Sequence, residues 1–454
     1  MTPRRMACCA FVALLLVAPP AAHGATKKRT VASELGRLAA AGAIPAAERD
    51  ERLASYNAVK RAVKRLPRGT TRRNELAGAV ANVDGIAARR ALTGPRLVPL
   101  WLTLETNRAY WTTHIYGPST RRISFAGSQL VWQWFPGQGL QFHPLANFAK
   151  LNALWSSRSD DMGQLLDELL ALRVPRAGGV AWEYYFSFAG GKPPWVSGLA
   201  QGTGIQSIAR VAQRTDREAE VLPIAEQALG VFETAPPEGV RVGTSGGAEY
   251  ALYSFAPGLR VINGMVQALV GLYDLGRIGN DERARTLYAD GERVVRRELP
   301  TFDTGAWSLY SRGTIEHESD LSYHELLRAF LRSMCSRTQD PVYCDTELRF
   351  AQYELEPPQL SLVTTSLRGG TLGRIKLRLS KISRVGLRVK RGAKVVAVRP
   401  AVVVGHGTPT LQWAVPRKAG EYDITLTAVD LAGNVGSAVG TLEVLKPKKR
   451  KRAR

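Results

Sequence analysis

Apolar residues recur at helical spacing through much of residues 26–352, then switch to period-two alternation after Pro357-Pro358. The chain has 454 residues, enough for two or three domains. These observations predict a multidomain α + β protein. A helical unit built as an α/α toroid, an incomplete (α/α) barrel, comes first; an immunoglobulin-like β-sandwich follows. Hydrophobic residues make up 45% and charged residues 22% of the chain, which excludes a wholly disordered or collagen-like protein.

Residues 1–25 read as a secretory leader. Arg4 and Arg5 supply the charged start, Ala10–Ala18 the short apolar run, and Ala22-His23-Gly24-Ala25 the small residues for cleavage. The run is short for a bilayer span, although an uncleaved anchor is the alternative. The expectation is a secreted or cell-surface protein. Cys8 and Cys9 would leave with the leader, so Cys335 and Cys344 are expected to form one disulfide. No His/Cys cluster has ligand spacing, so no metal is expected.

Lys and Arg total 62 against 39 Asp and Glu, a formal charge of +23. The tail 446–454 carries seven cations, and residues 360–445 hold 13 Lys/Arg against 4 Asp/Glu. The basic character therefore belongs mainly to the C-terminal third. Such a surplus favours polyanionic partners, and export argues against nucleic acid. Anionic cell-envelope polymers or anionic lipid headgroups suit the tail, which is expected to be solvated and disordered. The sequence leaves the oligomeric state open.

In chain order, 26–95 is an N-terminal helical segment. Leu35, Leu38, Ala39 and Ile44, then Leu53, Tyr56, Val59 and Val63, follow helical spacing, with breaks at Pro45 and Pro67-Arg68-Gly69. Residues 96–352 form the largest unit. Ala146–Trp155, Asp160–Leu172, Leu199–Gln213, Val261–Leu275 and Asp281–Leu299 are its helix candidates, and Ser322-Tyr323-His324-Glu325 matches a capping box opening one more. Repeated helix pairs with glycine-rich loops are what suggest the toroid. Residues 357–445 contain seven short β-branched or alternating runs, beginning Leu360-Ser361-Leu362 and ending Leu442–Val444. The turn Asp430-Leu431-Ala432-Gly433-Asn434 precedes the last of them.

Four stretches of the helical unit concentrate hydroxyls, histidines and amides. The first is Pro136-Gly137-Gln138-Gly139-Leu140-Gln141-Phe142-His143-Pro144, and the second Trp195-Val196-Ser197-Gly198-Leu199-Ala200-Gln201-Gly202. The third runs from Glu249-Tyr250-Ala251-Leu252-Tyr253 to Asn263-Gly264 and Gly271-Leu272-Tyr273-Asp274-Leu275. The fourth is Leu299-Pro300-Thr301-Phe302-Asp303-Thr304-Gly305, then Tyr310 and Tyr323-His324. In order and spacing, over about residues 130–335, these resemble the C-terminal catalytic region of D-glucuronyl C5-epimerases, the family that modifies heparan sulfate. The first stretch carries the weakest likeness. The arrangement is similar to exported bacterial members of the family.

The resemblance implies inversion at C5 of uronate residues in an acidic polysaccharide, with no cofactor. Tyr253, Tyr310 and Tyr323 match the family's active-site tyrosines. Chemically, the reaction removes a proton next to a carboxylate and returns one on the opposite face. It needs acid/base groups and donors that neutralise the enolate-like carboxylate. His324, His143, Gln201, Asn263 and Arg312 are candidate substrate contacts, with Arg260 a further one. Tyr323-His324 at a helix start could receive the carboxylate. The sequence departs from the family at Leu252, where the pattern has a catalytic Glu, and at Leu327, where it has a second histidine. Glu249, Glu183 and Glu316 are the possible substitute carboxylates.

Packing roles compete at each position. Buried helices carry tyrosines with satisfied hydroxyls, His143 before Pro144 suits a cap, and Gln201-Gly202 suits close helix packing. A uronate lyase would share the proton abstraction and end in β-elimination. A non-catalytic glycan-binding protein would use the basic sandwich and tolerate Leu252.

Overall fold

The computed structural model describes residues 29–448. The expected leader at 1–25 and tail residues 449–454 lie outside the described residues. The chain is a mixed helix and sheet protein: a helical unit punctuated by small antiparallel hairpins, then two packed sheets.

Helices α1 (Val31–Ala40), α2 (Ala46–Arg65), α3 (Thr71–Ala88) and α4 (Gly94–Thr113) come first. Helix α4 runs through the boundary expected at 95–96. Pro95 sits in its first turn, where a missing N–H is not needed. Strands β1 (Arg122–Ile123), β2 (Trp132–Phe135) and β3 (Gly139–Phe142) form a small antiparallel sheet, and α5 (Pro144–Ser157) and α6 (Asp161–Ala171) follow. Glu75 of α3 accepts from the Gly137 and Gly139 amides at 2.9 and 2.8 Å. Asn107 of α4 clasps Leu140 through both its N–H and its carbonyl. At Gly139, φ is +78° and a Cβ would lie 2.2 Å from Asn107 Oδ1, so only glycine fits. The N-terminal helices thereby fix the hairpin that leads into His143.

Next come β4 (Val174–Arg176), β5 (Gly179–Ala181), α7 (Gly198–Arg214), α8 (Glu218–Gln227), α9 (Gly230–Glu233), β6 (Arg241–Thr244) and β7 (Gly247–Tyr250). Strand β8 (Leu259–Val261) then leads into α10 (Ile262–Ile278) and α11 (Glu282–Glu298). Strands β9 (Leu309–Gly313) and β10 (His317–Glu318) and helices α12 (Leu321–Thr338) and α13 (Pro341–Tyr353) complete the unit. Helices α7 and α10 are buried along nearly their whole length. They approach backbone to backbone: a Cβ on Gly271 would stand 2.0 Å from the Gly202 carbonyl oxygen. The disulfide Cys335–Cys344 joins α12 to α13. The expected capping box at Ser322 is overturned. The N-cap is Asp320, whose Oδ1 accepts from the Tyr323 amide at 2.8 Å.

Strands β11 (Leu360–Leu362), β12 (Ser366–Arg368), β13 (Leu372–Leu379), β14 (Ser383–Arg391), β15 (Lys394–Val404), β16 (Thr410–Ala414), β17 (Gly420–Asp430) and β18 (Val435–Leu445) form two sheets. One has the order β11-β13-β16, the other β12-β18-β17-β14-β15. Short β12, parallel to β18, is the strand that alternation alone did not reveal. Ile375, Leu387, Trp413 and Leu426 point inward from both sheets into one core.

The sheets are anchored to the helical unit. Buried Lys381 donates to the Tyr353 carbonyl at 2.6 Å, in the last turn of α13, and pairs with Asp430 at 3.1 Å. Glu318 of β10 accepts from the Ile382 and His406 amides at 2.7 and 2.8 Å, and its carboxylate lies 3.0 Å from His406 Nδ1. No helix among the described residues is long and apolar enough to cross a membrane.

Candidate active site

A cleft of about 410 Å³ opens between the β1–β3 sheet and the segments that carry the tyrosines. Tyr253, Tyr310, Tyr323, His143 and Asn263 all line it. Their positions follow from local hydrogen bonding. The loop 251–254 is pinned against 196–198: Gly198 N–H donates to the Ala251 carbonyl at 3.0 Å, and Ser254 N–H to the Val196 carbonyl at 2.9 Å. That places Tyr253 beside Trp195, with ring centroids 5.7 Å apart. Strand β9 pairs with β8, Val261 opposite Ser311, so Tyr310 stands next to the start of α10 and Asn263. Tyr323, in the first turn of α12, is 41% exposed and forms the rim; its ring centroid lies 4.5 Å from that of Tyr310.

The phenols of Tyr253 and Tyr310 are held protonated. Burial raises Tyr253 to about 12, and the neighbouring Tyr323 adds to the rise while its contact with the Tyr310 hydroxyl offsets part of it. Tyr310, between the other two, is raised further by burial and by both neighbours. In the resting cleft both are therefore donors. One becomes a base only when a cation or the reaction itself stabilises the phenolate.

His143 caps α5. Its Nδ1 accepts from the Ala146 amide at 3.1 Å. That fixes the neutral ring with its proton on Nε2. Burial, and then the charge of Arg122, push the imidazole down to about 3. His143 is thus a hydrogen-bond donor and no general base. The Asn263 side chain is 2% exposed and lines the cleft. Arg121 and Arg122 stand at the other side, Arg122 donating to Gln133 Oε1 at 3.3 Å. No Asp or Glu lines the cleft. Two guanidiniums in a carboxylate-free cleft favour an anionic ligand. Tyr184, stacked on Trp195 at 4.0 Å, and Phe186 and Phe188 supply an aromatic wall for a sugar ring.

Other sequence candidates lie elsewhere. Gln201 is fully buried and bonds both backbone groups of Trp182. His324 is fully buried, stacked on Trp307, and bonded to Ser308 Oγ and the Phe350 carbonyl. Its helix start is occupied by Asp320, so the expected carboxylate seat at Tyr323-His324 is filled by the chain itself. Arg312 reaches Glu316 at 3.4 Å and covers the Phe302 ring, away from the cleft. Arg260 is held by Glu249 and Glu298. None of the substitute carboxylates reaches the cleft: Glu249 pairs with Arg260, Glu183 is buried between Arg96 and Arg176, and Glu316 pairs with Arg312. Leu252 does line it, so an apolar side chain stands beside Tyr253.

Sequence reasoning missed Arg121, Arg122 and the Tyr184-to-Phe188 strip. An arginine doublet ahead of Trp132-Gln133-Trp134-Phe135, and alternating aromatics at 184, 186 and 188, were the available signals. A larger groove of about 680 Å³ lies between α2, α4 and α6. Two of its three carboxylates, Glu105 and Glu168, are tied to Arg108 and to the Gln129 amide; the third is Glu51. No group of three or more His, Cys, Asp or Glu among the described residues could hold a metal ion.

The family model for the D-glucuronyl C5-epimerase C-terminus matches residues 178–352. A D-glucuronyl C5-epimerase of Caenorhabditis elegans is 31% identical over 179 residues, covering 36% of this chain and 29% of that protein. An uncharacterized protein of Methanocaldococcus jannaschii is 29% identical over 83 residues, 18% of this chain and 26% of its own. The chain thus spans under a third of the length of these curated relatives. The matched segment carries the three tyrosines, Asn263 and the aromatic wall, while Arg121, Arg122 and His143 come from upstream of it. Over residues 178–352 the chain is similar to the C-terminal region of the D-glucuronyl C5-epimerase family.

Proposed function

We propose that the protein is an exported enzyme that inverts C5 of uronate residues in an acidic polysaccharide. The helical unit is read as an α/α toroid and the two-sheet unit as an immunoglobulin-like sandwich. The observation that carries the reading is the convergence of Tyr253, Tyr310 and Tyr323 on a cleft that holds two arginines and no carboxylate. Arg121 and Arg122 receive the uronate carboxylate and offset the charge that develops when C5 loses its proton. The Nε2–H of His143 and the Asn263 amide orient the ring. One phenolate among the three tyrosines takes the C5 proton and a phenol returns one to the opposite face. Tyr310, in contact with both neighbours, passes protons between them. The reaction is a net isomerisation: no electrons leave and no bond of the polymer breaks, so it needs no redox partner.

A second reading has a specific observation behind it. Leu252 puts a hydrocarbon beside Tyr253, and no other carboxylate takes its place, which favours a cleft that binds uronate chains without turning them over. Incubation with a panel of uronate polymers in heavy water, followed by NMR, separates the readings. Deuterium at C5 in intact chains supports inversion. Cleavage with an unsaturated uronate end identifies a lyase. Tight binding with neither outcome leaves the binding protein.

A further inference from the structure

The outer face of the β11-β13-β16 sheet carries a row of cations. Arg374, Lys376 and Arg378 alternate along β13 with the buried Ile375 and Leu377, so all three side chains are exposed on one face. Successive members are about 7 Å apart and the row is about 14 Å long. Their cross-strand neighbours are neutral: Gln412 opposite Arg374, Thr410 opposite Lys376, and Ser361 opposite Arg378. The ion pairs of the sheets among the described residues are Lys381–Asp430 and His406–Glu318, and neither uses the row. Three like charges in line without a counter-charge repel one another, an arrangement that an external polyanion relieves.

The row runs into a hollow of about 460 Å³ where the sheets meet the helical unit. Arg378, Ser361, Ser380 and His406 line it together with the turn at Thr304, and no Asp or Glu does. The aromatic residues of the sheet unit, Trp413 and Tyr422, are both buried in its core. The face thus offers no platform for stacking nucleobases or the apolar face of a neutral sugar. It offers cations, hydroxyls and an amide.

We propose that this face is a second binding surface, for the chain of an acidic polysaccharide, with Arg374, Lys376 and Arg378 contacting successive anionic groups and the junction hollow receiving the sugar next to Arg378. The choice of uronate as the anion rests on the function proposed above; the row itself does not. Its role is to hold a long polymer whose other residues occupy the cleft, raising their local concentration there.

The test uses the full chain with Arg374→Gln, Lys376→Gln and Arg378→Gln combined, and separately with Arg121→Gln and Arg122→Gln combined. The probes are a long polyuronate, the same polymer with reduced carboxyls, a uronate tetrasaccharide and single-stranded oligo-dT. The row variant is expected to unfold at the wild-type temperature. It should bind the long polyuronate at least tenfold more weakly, with a shallower salt dependence, and the tetrasaccharide unchanged. The reduced polymer should not use the row. Long-chain affinity within twofold of wild type in the row variant overturns the proposal. So does oligo-dT that competes at the row as tightly as polyuronate, which makes it a nucleic-acid surface. If the cleft variant leaves tetrasaccharide binding intact, the cleft reading fails, while loss of long-chain binding in the row variant still stands for the row.

Discussion

Tyr310 and Tyr323 are borne by a strand and a helix, yet their rings lie with centroids 4.5 Å apart at the edge of one cleft. The pairing depends on β9, β10 and α12 being consecutive. The short β10 turns the chain back on β9, and Asp320 then caps α12 one residue before it begins. The chain's own carboxylate fills the helix start, and the first turn presents a phenol to the cleft.

That geometry predicts that Tyr310→Phe and Tyr323→Phe each lower solvent-deuterium entry at C5 by at least about 100-fold, the usual worth of a positioned acid or base. Thermal unfolding should stay near wild type, since the polar contacts of these hydroxyls are with one another and each ring keeps its packing. Because burial holds Tyr253 at about 12, the rate should also climb about tenfold per pH unit between pH 7 and 9, as the phenolate becomes more abundant. Unchanged exchange in both variants removes the tyrosines from the chemistry.

Leu252→Glu returns a carboxylate to the cleft wall. Deuterium entry at C5 is expected to rise at least tenfold over wild type. Leu252 is only 5% exposed, so the variant should lose about 1–3 kcal/mol of stability. Denaturant unfolding and isotope exchange on the same preparation check both; a stable variant with wild-type exchange would show that this position is not what limits turnover.

His143 gives the fold an acid-sensitive term. Folding depresses its pKa from 6.5 to about 3. Below pH 6.5 the unfolded chain takes up a proton that the folded chain refuses. The stabilisation is therefore complete above 6.5 and is lost as pH falls towards 3, by up to about 1.4 kcal/mol per unit. His143→Asn keeps a capping oxygen and does not titrate. Wild type should lose more stability than the variant between pH 6.5 and 4; parallel urea-unfolding curves across that range would contradict the assignment.

Glu318 ties the sheets to the tyrosine-bearing hairpin. Glu318→Ala leaves the Ile382 and His406 amides without their acceptor, at a cost of about 1–3 kcal/mol for each one that stays dry. Protease cleavage in the connection at 354–359 should speed up at least several-fold relative to wild type. Equal cleavage rates would mean that Lys381 and Asn434 hold the junction without it.

Local rules were sufficient for much of this molecule. Alternation fixed the inward faces of β13, β14 and β17, because strand side chains point to opposite sides at every step. The apolar length of α10 marked it as central. The family likeness picked out the three tyrosines from motif order alone. Boundaries were less legible: the division expected at 95–96 falls inside α4, and the cap expected at Ser322 is supplied by Asp320.

Only the tertiary structure decided which polar residues meet. Gln201 and His324 look like ligands in sequence because amides and imidazoles suit sugars, but each is buried against backbone partners from distant segments. Arg121 and Arg122 look like ordinary surface charges until the β1–β3 sheet brings them opposite tyrosines more than a hundred residues away in the chain. Side-chain chemistry and short-range periodicity are written residue by residue. Whether a charge is neutralised, a hydroxyl dried or an amide left free depends on long-range packing, which the order of residues along the chain does not display.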